Sequence, residues 1–169
     1  MQLTVTRLEG GRYETVVVRD DGVSYRVKGV AHMFAIPHDL AHFLVEKTLR
    51  LRDGFFGNVA DGAVFKSMTY IDGRRKPKAA ERSATLLKQN EAALNEAEVL
   101  VRIFNDTIEQ GHAVNSGVLE RRLHERLARA GVERRSFSAA EIAAVYVAYE
   151  DMLGKWRDVP VGGAMQLRW

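Results

Sequence analysis

The chain has 169 residues, with 25 Lys plus Arg, 22 Asp plus Glu, three prolines and no cysteine. Without cysteine there is no disulfide framework, thiolate zinc site, iron–sulfur cluster or thiol nucleophile, and the 46% hydrophobic content excludes a disordered chain. The net charge of +3 is weak, and the first 73 residues hold nine charges of each sign, so the excess lies entirely in the second part.

That charge argues against a nucleic-acid partner, since a duplex-binding face concentrates many more cations. No run approaches ~18 uninterrupted apolar residues, which argues against a membrane span. Residues 1–7 alternate and lack the basic and apolar regions of a secretory leader. The expected location is therefore the cytoplasm. Length predicts a single domain over residues 1–169.

Residues 1–28 read as a β-meander. Leu3 and Val5 alternate with Thr4 and Thr6, residues 13–19 are rich in β-branched side chains, and Val23, Tyr25 and Val27 alternate with polar residues. Period two with polar intervals implies an antiparallel sheet with one wet face. Asp20-Asp21-Gly22 is a hairpin signal. Residues 30–36 extend the pattern as a further strand.

Pro37 suits the first turn of a helix. Residues 38–51 then follow helical period and end at Asp53-Gly54, glycine being the usual C-terminal residue. Residues 55–63 form a short helix or packed loop, and residues 64–71 a strand or loop. The connector 72–78 is charged. One long helix is predicted over 79–110, another over 116–130, and a third after Ser138, where Ser138-Ala139-Ala140-Glu141 spells a capping box. The tail 164–169 alternates again and is expected to return as a strand on the N-terminal sheet. The predicted class is thus α+β. A small antiparallel N-terminal sheet (within 1–73, with the 38–51 helix) packs on a mainly helical second half (74–169).

One constellation carries chemistry. His38, His42 and Glu46 stand at successive four-residue steps, which places them within ~80° of one another on a helix. Leu40, Ala41, Leu44 and Leu51 fall on the opposite arc, so the histidines sit at a border between apolar and polar faces. Two histidines one turn apart can grip one divalent, zinc-like transition metal. The pattern His38-Asp39-x-x-His42 resembles the zincin motif His-Glu-x-x-His, with Asp39 where zincins carry the glutamate that activates the attacking water. The resemblance implies a metal-assisted hydrolase with His38 and His42 as ligands and Asp39 as base. Aspartate is one methylene shorter than that glutamate, and the usual third ligand is not spelled out.

Glu46 lies ~12 Å along the helix from His38, too far for both to hold one ion. It is better suited to the outer shell, orienting the His42 ring. A third ligand would come from His32, His112, His124 or an acidic residue. The same residues also suit a plain wet helix face, with Asp39 favourable at the helix start and His42–Glu46 an ordinary polar pair. The stretch 37–46 looks like one found in small soluble bacterial proteins, a resemblance that brings no function with it.

Other features speak for less. The basic connector 74–78 reads as a solvated loop. The arginines of 121–135 are interleaved with Glu120, Glu125 and Glu133, as expected for i, i+4 pairing. No phosphate-binding glycine loop or serine-hydrolase elbow occurs. The alternative to a metal site is a non-enzymatic interaction or regulatory module, with the long helix from Ala79 as partner surface or homodimer seam.

Overall fold

A computed structural model describes residues 1–29, 35–109, 116–131 and 137–169. The predicted meander is present as β1 (Gln2–Arg7), β2 (Tyr13–Val18) and β3 (Ser24–Lys28). These strands pair antiparallel, with Leu3 opposite Val17 and Val17 opposite Tyr25. The β2–β3 turn closes as its sequence demands. Gly22 adopts φ 78°, a conformation that side chains resist, and Asp21 accepts a hydrogen bond from the Val23 N–H. The expected strand over 30–36 falls mostly on residues 30–34, outside the described residues. Ala35 and Ile36 form a bend rather than a strand.

Two further strands complete a five-stranded sheet of order β4-β3-β2-β1-β5. β4 (Met68–Asp72) pairs with β3, and β5 (Ala164–Arg168) returns from the C-terminal region to pair with β1. One face carries Leu3, Val5, Tyr13, Thr15, Val17, Tyr25 and Val27, all buried. Their apolar members share one continuous core with the helices. The architecture is α+β, an antiparallel sheet packed against a helical region.

The helices are α1 (His38–Thr48), α2 (Phe55–Asp61), α3 (Ala79–Gln89), α4 (Glu91–Glu109), α5 (Ser116–Arg129) and α6 (Ala139–Arg157). α4 and α6 pack on α1, and α5 packs on both α4 and α6. The predicted capping box starts α6: Ser138 Oγ accepts from the Glu141 N–H, and the Glu141 carboxylate accepts from the Ser138 N–H. α6 buries Ile142, Val145, Tyr149, Met152 and Trp156. Arg7 of β1 lies over the Trp156 ring at 4.7 Å and donates to the Val159 carbonyl, tying sheet to helix.

Two expectations need correction. The helix expected over 79–110 is two helices, broken at Asn90, whose side chain donates to Asn58 Oδ1 across to α2. A local period cannot report that long-range bond. The helix expected to run to residue 51 instead stops at Thr48. Arg50 takes a left-handed φ of 56°, the Arg50 N–H bonds the Lys47 carbonyl, and the Leu51 N–H bonds the Glu46 carbonyl. This is a Schellman-type end with arginine in the place where glycine is favoured.

Candidate metal centre

α1 is the central helix. Every residue from Asp39 to Glu46 is buried, so the wet-face reading of this helix is corrected by the packing of α4 and α6 around it. Its N-terminus has no side-chain cap from Pro37. The Tyr13 phenol of β2 takes that place. It meets the backbone N–H groups of His38 and Asp39 and donates to Asp39 Oδ1 at 3.3 Å.

Asp39 is therefore engaged with the sheet. Burial pushes its carboxyl above the ordinary range, against the pull of Thr15, His42, His38 and Tyr13. Among the described residues, its Oδ2 and the buried Thr15 hydroxyl are both without a hydrogen-bond partner. Burial and the neighbouring Asp39 raise the Tyr13 phenol, which keeps it a donor.

One turn apart on α1, the imidazoles of His38 and His42 converge. Their Nε2 atoms lie 3.1 Å apart and their rings are nearly perpendicular. Glu98 of α4 closes the group. Its Oε2 is 2.9 Å from His42 Nε2 and its Oε1 3.4 Å from His38 Nε2. These three distances are close to the edges of a small coordination polyhedron. Ligand atoms ~2.0–2.1 Å from a tetrahedral centre lie about 3.4 Å apart, and those of a right-angled pair about 2.9 Å apart. His38, His42 and Glu98 thus form a cluster able to chelate a divalent ion.

Glu46 supports the cluster from behind. It is fully buried, and its Oε1 sits 2.9 Å from His42 Nδ1. The same carboxylate accepts from the Phe55 N–H at 2.7 Å and the Phe56 N–H at 3.0 Å, the first free donors of α2. Gly54 makes this approach possible: a Cβ there would lie 2.4 Å from Glu46 Cδ. Asn58 holds the turn, donating to the Asp53 and Gly54 carbonyls. With Nδ1 committed to Glu46, the His42 Nε2 is the atom presented to Glu98 and His38.

The cluster is graded in exposure. The His42 and Glu46 side chains are 7% and 0% exposed, that of His38 is 33% and that of Glu98 is 58%. Burial opposes charge on His42, but its bonds to Glu46 and Glu98 outweigh burial and raise its pKa to about 9. The bonds to His38 and His42 hold the Glu98 carboxyl well below the usual carboxylate range.

A pH effect follows for metal-free protein. A group whose folded pKa exceeds its unfolded value stabilises fully below the unfolded value and loses that contribution as pH rises through the folded one. His42 titrates near ~6.5 when unfolded and about 9 when folded. Chelator-treated protein should therefore melt progressively lower between about pH 6.5 and 9, and His42→Gln should flatten that fall. An equally steep fall in the variant would contradict the assignment.

The sequence brought His38, His42 and Glu46 to one helix face, and the structure holds them together; Asp39 stands apart from the imidazole–Glu98 group, at Tyr13. Of the third-ligand possibilities, His32 and His112 fall outside the described residues. Among the described residues His124 of α5 joins no such cluster. The acidic residue at the site is Glu98, which sequence reasoning did not single out. It lies between the buried Ala97 and Val101 on an apolar helix, a faint signal that Glu91 and Glu96 blur. Its partner in space is 56 residues distant.

Among the described residues no helix is long and apolar enough to cross a membrane. No family model, curated protein or solved structure matches the chain.

Proposed function

We propose that this protein binds one divalent transition-metal ion through His38 Nε2, His42 Nε2 and a carboxylate oxygen of Glu98, with Glu46 fixing the His42 ring. The observation that carries the reading is the convergence of those three donor groups at 2.9–3.4 Å from two helices. Charge supports it. Glu46 and Glu98 together balance a divalent cation, while burial disfavours charge on Asp39. The His–carboxylate pairing behind His42 is the usual outer-shell device of metal-ligating histidines.

The test is metal analysis of protein purified without a histidine tag. About one equivalent of zinc or a related ion is expected after loading and desalting, and none in His38→Ala or His42→Ala. Wild-type protein that retains no metal, or variants that retain as much as wild type, would contradict the proposal.

A finer reading is metal-assisted hydrolysis. It is favoured by the exposure of His38 and Glu98, since three protein ligands with a solvent-facing side leave a position for water or substrate. A metal there would polarise a carbonyl or phosphoryl oxygen. Asp39 is the base in this reading, and its engagement with Tyr13 makes that role depend on release from the phenol. Zinc-loaded protein should hydrolyse p-nitrophenyl acetate or bis(p-nitrophenyl) phosphate above background and lose that activity in Asp39→Asn. Absence of turnover on both would remove the hydrolase reading and leave metal binding intact.

A further inference from the structure

We propose that the cavity between the 50–52 loop, α2 and the Trp169 ring binds a small organic anion, a carboxylate or phosphate carried on a planar or apolar group. The cavity is about 490 Å³, within the ~300–1,000 Å³ range of small-molecule sites. None of His38, His42 and Glu98 lines it, so this site stands apart from the metal centre and does not rest on it.

Its charged wall comes from one short stretch. Lys47, Arg50 and Arg52 all border the space, and among the described residues none of them pairs with a carboxylate. The acidic residues on the wall are Glu46 and Asp61. Glu46 is already committed to His42 and to the N–H groups of Phe55 and Phe56. Among the side chains of the wall, three cations thus face one uncommitted carboxylate. Lys47 is anchored, donating to the Arg168 carbonyl with its ammonium over the Phe43 ring.

The lining also has an aromatic member, Trp169. Trp169 packs on Phe43 and Phe56, with ring centroids 6.1 and 6.0 Å away, and so presents a fixed ring beside the cations. Cations next to an immobilised ring match a ligand with a charged end and a planar or apolar end.

Arg50 adds a second argument. It holds a left-handed backbone at the end of α1, where glycine would be unstrained. The fold tolerates that conformation for an arginine whose side chain borders the cavity. Two other cavities among the described residues lack this combination. The neighbouring one of about 400 Å³ sets Asp53 and Glu96 against the two arginines. In the small cavity by α3, Arg19 is already held by both oxygens of Asp21.

The experiment is calorimetric titration of the full, chelator-treated chain with phenyl phosphate, benzoate, inorganic phosphate and phenol. Phenyl phosphate or benzoate should bind about tenfold more tightly than inorganic phosphate or phenol, and their ratio identifies the anion. The double variant Arg50→Gly, Arg52→Ser should weaken binding at least about tenfold. Its melting temperature should be unchanged or raised, since glycine relieves the backbone at residue 50. His38→Ala, which leaves the His42–Glu46 pair in place, should bind the anion as wild type does, so failure of the metal reading and failure of this one are separable. No binding of any anion up to about 10 mM would overturn the proposal, as would a double variant that binds like wild type or phenol binding as well as phenyl phosphate.

Discussion

Glu46→Ala should melt about 10 °C or more below the natural chain, a far larger loss than one exposed carboxylate would cause. The side chain is fully buried and serves three donors at once: the Phe55 and Phe56 N–H groups and His42 Nδ1. Truncation leaves two backbone donors of α2 without an acceptor and a buried imidazole without its carboxylate. Each unsatisfied buried group costs ~1–3 kcal/mol. Breaking a buried ion pair by removing one partner costs ~3–5 kcal/mol. For a chain of this length each kcal/mol is ~2–4 °C in melting temperature.

Glu46→Gln keeps one acceptor oxygen and should fall between the natural chain and the alanine variant. Any metal affinity left in the glutamine variant should be reduced ~10–100-fold, as for loss of an outer-shell partner. An alanine variant melting within about 2 °C of wild type would show that the carboxylate does not join α1 to α2.

Glu98→Ala should have the opposite signature. Its side chain is more than half exposed, so its ion pairs with the histidines are screened by water and contribute little to folding, ~0–1 kcal/mol. The melting temperature of metal-free protein should move by no more than about 4 °C. Metal binding should nevertheless collapse, by more than the ~10–100-fold attached to an outer-shell residue, because a direct ligand is gone. Titration with zinc, read by competition against a chromogenic chelator, measures this directly. Unchanged affinity in Glu98→Ala would remove Glu98 from the ligand set. Set beside Glu46→Ala, the pair separates a carboxylate that builds the fold from one that meets the ion.

Much of the fold was legible because its signals are local. Alternation in residues 3–5 and 23–27 reported one buried sheet face, Asp21-Gly22 reported the turn, and Ser138 with Glu141 reported the start of α6. The alternation of 164–168 reported a strand returning to the N-terminal sheet, and the structure shows that its partner there is β1. The break at Asn90 and the end of α1 at Arg50 were not legible. One depends on Asn58, 32 residues away. The other uses an arginine where sequence rules expect glycine.

The site was half legible for the same reason. Helical spacing fixes the relation of His38, His42 and Glu46 within α1. It says nothing of how deep α1 lies, nor of which α4 carboxylate meets it. Depth changes the chemistry. On a wet surface, His42 and Glu46 would be a weak polar pair. Enclosed by the sheet, α4 and α6, they become a buried pair whose remaining nitrogen has one direction to point. Asp39 shows the converse. The motif placed it beside the ligands, while the third dimension set it against Tyr13, at the start of the helix.

The most direct measurement is anomalous diffraction at the zinc edge from crystals of zinc-loaded protein. A single strong peak is expected ~2.0–2.2 Å from His38 Nε2, His42 Nε2 and one Glu98 oxygen together, with Glu46 still on His42 Nδ1. A peak elsewhere, or none with those three side chains ordered, would contradict the assignment of this cluster as a metal centre.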